Sequence, residues 1–210
     1  MSNITNKKLH FKKDFDFQKK LCMDKLYKSV FDKSRKGSVD KPIMPLIDYI
    51  NNLKNYYTTS SCSGRIQILT EADKKHDVKW LYQSHEKTPL KEILEILKTS
   101  NIKKYPEGIV WLRQENMILH IACRTIDDAN KVLKIARDIG LRRSGIIADS
   151  NIIIVEVCST EQMDVPIAKN GKLIVDKGYI KIIVDIANKK FLKGREKLEK
   201  LEEEIRNNLK

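Results

Sequence analysis

The chain has four cysteines, Cys22, Cys62, Cys123 and Cys158, and no CxxC pair among them. That argues against a zinc knuckle, and in a reducing compartment the four are most simply free thiols. The four histidines are scattered too, so no metal is expected. No apolar run approaches the roughly 20 residues that span a bilayer. Residues 1–20 are thick with Lys and Asn and lack the apolar core of a signal peptide. The expectation is an intracellular, cytoplasmic protein with no membrane contact. No GxGxxG follows a strand pattern, and GxxxxGK[ST], HExxH and GxSxG are all missing. The common nucleotide-binding and hydrolase loops are therefore not visible, and a Rossmann-type cofactor site is disfavoured.

Positive charge is what the chain has in surplus. It carries 41 Lys/Arg against 28 Asp/Glu, a formal net charge of +13 over 210 residues. Residues 1–41 hold 12 basic and 5 acidic side chains, and residues 189–210 hold 8 and 5. A surplus of this sign suits a polyanionic partner, because Lys and Arg contacts to phosphates release counterions. The plain alternative is a Lys-rich surface that serves solubility. Hydrophobic content of 41% and charged content of 33% indicate a globular chain with a real core.

The stretch that organises the rest is Tyr56–Arg65, Tyr-Tyr-Thr-Thr-Ser-Ser-Cys-Ser-Gly-Arg. Seven of its ten side chains carry a hydroxyl. Hydroxyl side chains compete for nearby backbone groups, so the run reads as a polar loop. Gly64 permits φ > 0 or close backbone approach. Arg65 ends the run with a cationic fork suited to a carboxylate or phosphate. Both an anion-binding pocket edge and a satisfied turn before a strand are open at this point.

Residues 1–13 read as flexible and 14–210 as a single domain. Helical periodicity predicts a helix from Asp14 to about Ser34, a turn over 35–40 and a second helix from Ile43 to Leu53. Arg65–Thr70 and Val78–Ser84 alternate as strands around a charged turn at 71–77. A helix follows over Leu90–Leu97, with Thr88 as cap and Pro89 at its first position. Ile109–Leu112 and Met117–Cys123 read as a hairpin. Another helix begins after Asp127 and stops at Gly140. Strands over Ser144–Ala148 and Ile152–Val157 flank a tight turn at 149–151. A loop through Val165-Pro166 leads to a long helix from Tyr179 to about Leu209, with Gly194 as a candidate break. Ser63-Gly64 and Ser144-Gly145 lie 81 residues apart, each after a helix and before a strand pair. The fold class expected is α+β, non-Rossmann, with helices on an antiparallel-rich sheet and an internal pseudo-repeat.

Several residues could carry chemistry. Cys62 reads either as a nucleophile with His85 or His120 as base, or as part of a turn. Trp80 reads as core, or as an aromatic that stacks on a base or faces a cationic ligand group. His85 follows a strand end, where it could act or cap. His120 lies between Leu119 and Ile121 and faces away from both, as a surface or cleft residue. Arg142-Arg143 before Ser144-Gly145 repeats the pairing of Arg with Ser-Gly, as a second anion contact or as a solvated pair.

Together these stretches resemble one family. Lys36-Gly37-x-Val39-Asp40, Tyr57 through Ile66, Trp80-Leu81-Tyr82-x-Ser84-His85, Ile118-Leu119-His120-Ile121-x-Cys123 and Gly140-Leu141-Arg142-x-Ser144-Gly145-Ile146 are similar, in order and spacing, to the wybutosine-synthesizing tRNA methyltransferases. Ser159-Thr160, Met163-x-x-Pro166 and Tyr179 leading to Ala187-Asn188 also match. The turn between Ile66 and Trp80 departs, being shorter and more charged than the Gly-rich turn of many members. The resemblance implies methylation of ring N4 of a demethylwyosine-type base 3′ of the anticodon in tRNA-Phe, with S-adenosyl-L-methionine as donor. The partner it implies is the tRNA-Phe anticodon stem-loop, and no other protein partner is evident. It places Ser60, Ser61, Cys62, Ser63, Gly64, Arg65, Trp80, Arg143, Ser144 and Gly145 at the cofactor and names His85 and His120 as candidate proton acceptors. The competing class is a non-enzymatic tRNA-binding module.

Overall fold

In the computed structural model, residues 15–26, 39–71, 78–148 and 152–210 are described. The expectations for 1–14, for the end of the first helix and the turn up to residue 38, and for the turns at 72–77 and 149–151 lie outside them. The described chain forms two compact units. The first comprises residues up to Cys62, Ile118–Ser159 and Lys197–Lys210; the second comprises Ser63–Met117 and Thr160–Glu196. No helix among the described residues is long and apolar enough to cross a membrane.

The first unit is built on a four-stranded antiparallel sheet in the order β1-β5-β7-β6: β1 (Tyr56–Cys62), β5 (Ile118–Cys123), β7 (Ile153–Cys158) and β6 (Gly145–Ala148). Alternation in β5 and β7 sends Leu119, Ile121, Val155 and Val157 to a fully buried face. Helix α5 (Ile126–Asp138) packs on those strands with Ala129, Val132 and Ala136 inward. Its start is set by Thr125, whose hydroxyl accepts from the Asp128 amide. Helix α2 (Met44–Asn52), entered through a 3-10 turn at Lys41–Ile43, lies against β1. Helix α1 (residues 15–26) places Phe15 edge-on against Tyr57, and the Arg124 guanidinium stacks on the Phe15 ring 4.3 Å from its centroid.

The second unit carries a five-stranded antiparallel sheet in the order β3-β2-β4-β8-β9: β3 (Trp80–Ser84), β2 (Arg65–Thr70), β4 (Ile109–Glu115), β8 (Met163–Lys169) and β9 (Lys172–Leu173). One face buries Ile66, Ile68, Leu112 and Ile167 with Ile93 of helix α3 (Leu90–Ile96), Ile102 of the short helix α4 (Thr99–Ile102), and Ile180, Ile183, Val184, Ala187 and Phe191. The last five belong to helix α6 (Lys177–Asn208), whose C-terminal part belongs to the first unit.

The α+β, antiparallel, non-Rossmann class holds. Ser63-Gly64 leads into the β2–β3 pair and Ser144-Gly145 into β6–β7, but strand β1 stands between helix α2 and the first of these pairs. Their backbones differ: Gly64 has φ +87°, whereas Gly145 is not in the left-handed region. Four local expectations are corrected. The hydroxyl-rich run is strand β1 up to Cys62, because Tyr and Thr suit a pleated surface and β5 supplies its hydrogen bonds. Segments β4 and β5 are no hairpin: β4 pairs with β2 and β8, β5 with β1 and β7, in different units. Val165-Pro166 is inside β8, tolerated because β9 pairs only with Ala168 and Lys169 and the ladder to β4 shifts register beside Pro166. Helix α6 runs unbroken through Gly194, its neighbours being good helix formers.

Candidate active site

The chain passes from the first unit to the second between Cys62 and Ser63, so the signature run is divided. Ser60, Ser61 and Cys62 end β1, an edge strand. A register shift between Thr58 and Ser60 re-aims the strand, and Ser60 then lies opposite His120. His120 lies opposite Glu156, and Glu156 opposite Gly145. Directly opposed residues project to one face, so Ser60, His120 and Glu156 form a polar row across the first sheet, on the side away from Leu119 and Ile121. His120 Nε2 is 2.9 Å from Glu156 Oε2, with side chains 24% and 30% exposed. A carboxylate accepts, so Nε2 carries the hydrogen and the neutral ring keeps its lone pair on Nδ1.

The β6 end holds the other sequence candidates. Ser144 is buried and its hydroxyl accepts from the Cys158 amide at 3.3 Å, which ties the start of β6 to the end of β7. Arg143 is exposed. A Cβ at Gly145 would meet nothing within 4 Å, so no steric need for glycine exists there.

In the second unit, Ser63 is buried and Gly64 needs to be glycine on two counts. Its φ is +87°, and a Cβ would stand 3.2 Å from the Glu115 carbonyl oxygen and 3.4 Å from the Met117 amide nitrogen. The turn thus lies flat on the end of β4. Arg65 pairs with Glu115 in register, and its Nε stands 2.5 Å from Glu115 Oε2. Glu115 Oε1 accepts from Gln67 Nε2 at 2.7 Å. One carboxylate therefore holds Arg65 by Nε, which leaves both terminal nitrogens of the guanidinium directed elsewhere, on a side chain 29% exposed.

The Gly64 carbonyl oxygen is 3.1 Å from His85 Nδ1. A carbonyl only accepts, so Nδ1 carries the hydrogen and Nε2 the lone pair of the neutral ring. His85 is held from behind as well: its own carbonyl accepts from Arg195 Nη2 at 2.7 Å. Three residues on, the Thr88 amide donates to Asn188 Oδ1 at 2.8 Å and the Thr88 carbonyl accepts from Asn188 Nδ2 at 2.9 Å. That bidentate tie, not a Thr88 cap, sets the entry to α3, where Pro89 occupies the cap position.

Within this unit the structure brings Ser63, Gly64, Arg65 and His85 together. It sets Trp80 apart from them, opposite Leu69, four residues along β2 from Arg65 or about 13 Å of strand, so the expectation of Trp80 at the cofactor beside Arg65 is not carried forward. Glu115, Gln67 and Glu156 are neighbours of the candidate residues that sequence reasoning missed. Each is identified by register across a ladder, which no local pattern encodes.

The sequence of residues 17–207 matches the family model Methyltransferase TYW3. The chain belongs to that family. Two archaeal relatives are similar over nearly their whole length. A Thermococcus sibiricus protein is 39% identical over 198 residues, covering 93% of this chain and 96% of its own, and bears the name tRNA(Phe) 7-((3-amino-3-carboxypropyl)-4-demethylwyosine(37)-N(4))-methyltransferase. A Thermococcus kodakarensis relative, methyltransferase 1 of the same name, is 40% identical over 199 residues with the same coverage. The solved structure of the PH1069 protein from Pyrococcus horikoshii superposes with a TM-score of 0.81 at 39% identity, covering 93% of this chain and 97% of that one. A solved structure from Aeropyrum pernix, at 24% identity and a TM-score of 0.66, shows the fold alone. The matched range takes in both the end of β1 and the Ser63–Arg65 turn, and this family member is a methyltransferase, not a bare binding module.

Proposed function

We propose that this chain methylates ring N4 of a demethylwyosine-type base 3′ of the anticodon in tRNA-Phe, in the cytoplasm, with S-adenosyl-L-methionine as donor. The observation that carries the reading is full-length similarity, near 40% identity, to archaeal relatives that bear that activity in their names.

The donor has a carboxylate, an ammonium group, an adenosine and a sulfonium. The residues present suit it: Arg65, fixed at Nε by Glu115, offers two terminal nitrogens to a carboxylate in the bidentate manner of guanidinium. Ser60, Ser61 and Ser63 offer hydroxyls, Cys62 a thiol, and Gly64 a backbone that a ligand can approach closely. Arg143, Ser144 and Gly145 are proposed as the further contacts, Ser144 through the donor capacity its Cys158 bond leaves over. The bound donor supplies an electrophilic methyl carbon for in-line displacement by nitrogen.

What the protein adds is position and proton removal. N4 loses a proton on methylation, and imidazole titrates where such transfers are efficient. His85 offers Nε2 as acceptor because Gly64 fixes its tautomer. His120 offers Nδ1 and has a carboxylate, Glu156, to stabilise the imidazolium that forms. Both are proposed as acceptors; the pH profiles of His85→Ala and His120→Ala identify the one that acts.

A thermal-shift titration with S-adenosyl-L-methionine tests the enzyme reading against the binding-module reading. The donor is expected to raise the melting temperature of the wild type and to raise that of Arg65→Ala far less. A wild-type protein that binds tRNA and shows no shift with saturating donor overturns the proposal.

A further inference from the structure

We propose that the start of β3 bears a second nucleic-acid contact, a recess that takes a nucleobase with its phosphate from the tRNA away from the methylated base. The inference rests on the proposed tRNA substrate. The recess has a volume of about 230 Å³ and is lined by Trp80, Leu81, Ile96, Asn101, Lys104 and Tyr105, all in the second unit. That volume admits one flat heterocycle.

The lining has the two components that single-stranded nucleic acid requires, aromatic faces and cations. Trp80 is 39% exposed, uncommon for a tryptophan in a chain with buried strand faces available to it. Lys79 Nζ lies over the Tyr105 ring, 5.9 Å from its centroid, so a cation is held against one lining side chain and next in the chain to another, Trp80. Lys103 and Lys104 are exposed on the segment that leads to Tyr105. Among the described acidic groups of residues 95–107, Glu95 is engaged by Lys98 at 2.5 Å, which leaves Glu107 as the one other carboxylate against Lys103 and Lys104. Asn101 adds directional polarity: its Nδ2 donates to the Glu95 carbonyl at 3.2 Å, and its Oδ1 lies 3.5 Å from Lys104 Nζ. Every base has a π-face, so such a platform tolerates sequence while the lysines hold the backbone.

Two sources of a flat heterocycle exist, a nucleotide of the tRNA and the adenine of the donor. Lys79 and Lys104 decide between them, because the donor carries no phosphate for them to meet. The recess also begins about four residues of strand from Arg65, the residue proposed for the donor carboxylate.

The test compares wild type, Trp80→Ala, Trp80→Phe and the Lys79→Ala/Lys104→Ala double variant. Affinity for tRNA-Phe is measured against salt, and affinity for S-adenosyl-L-methionine by calorimetry. Trp80→Ala is expected to weaken tRNA binding on the order of ten-fold, with donor affinity unchanged and Trp80→Phe restoring most of the loss. The double variant is expected to reduce the slope of log K against log salt by about 1.4 to 1.8, two phosphate contacts' worth. Loss of donor affinity with tRNA affinity intact overturns the proposal and gives the recess to adenine. No change in either overturns it outright. A wild type that binds no tRNA refutes the substrate reading itself, independently of these variants.

Discussion

Glu115 is the residue on which Arg65 and Gln67 both depend, so Glu115→Ala is the sharpest perturbation of the site's frame. Gln67 is 1% exposed, its Oε1 has no partner, and Glu115 is what its Nε2 donates to. Removing the carboxylate leaves a buried amide without any hydrogen bond, at a cost of about 1–3 kcal/mol. The Arg65–Glu115 pair, with side chains 29% and 33% exposed, adds on the order of 0.5–1 kcal/mol after solvent screening. The total is about 1.5–4 kcal/mol. For a chain of this size that corresponds to a fall in melting temperature of about 3–16 °C. Glu115→Gln keeps the shape and can still bond Gln67, so its fall should be less than half as large. Circular-dichroism melts measure both. Methyl transfer should drop in both variants, because Arg65 loses the partner that fixes Nε. A Glu115→Ala protein that melts within about 1 °C of wild type would refute the reasoning.

Three further outcomes follow from the same geometry. Asn188→Ala strips the buried Thr88 amide and carbonyl of their partners and should destabilise by about 3 kcal/mol in denaturant titration, with methyl transfer reduced through the His85 segment. Gly64→Ala should cost about 1–2 kcal/mol from the left-handed φ, and more from the approach to Glu115, while Gly145→Ala should leave the melting temperature unchanged. Burial, with the Asp128 charge behind it, pushes the Cys123 thiol up to about 12 from 9.0, and burial pushes the Tyr57 hydroxyl up to about 12 from 10.0. Raised folded-state values mean full stability below pH 9 and loss as pH climbs from 9 toward 12, since the unfolded chain gives up these protons first. At pH 10 the thiol alone removes about 1.4 kcal/mol, so melts between pH 8 and 10 should fall and Cys123→Ala should flatten that fall.

Strands with strict alternation were legible in the sequence. Arg65–Thr70 forms β2 with the bounds the pattern suggests, and the β2–β3 and β6–β7 pairs form as expected. Long-range pairing was not legible. Strands β4 and β5 are separated by two residues, the spacing of a hairpin, and yet each finds its partners elsewhere, because local spacing says nothing of which sheet a strand joins. The hydroxyl-rich run misled for the opposite reason: composition argued for a loop, and the ladder to β5 overrode it. His85 and Gly64 were visible as residue types, but the bond that fixes the His85 tautomer spans 21 positions. Glu115 had no signal beyond being the charged end of an apolar strand, and Glu156 none beyond being the one charge inside another. They became significant once register set them beside Arg65 and His120.

The most direct measurement is nucleoside mass analysis of tRNA-Phe that carries the unmethylated demethylwyosine intermediate, after incubation with the protein and S-adenosyl-L-methionine. The wild type should add the mass of one methyl group to that nucleoside, at ring N4. Arg65→Ala, folded by its melt, should add little or none. A folded wild type that leaves the nucleoside mass unchanged, or an Arg65→Ala variant as active as wild type, would contradict the account.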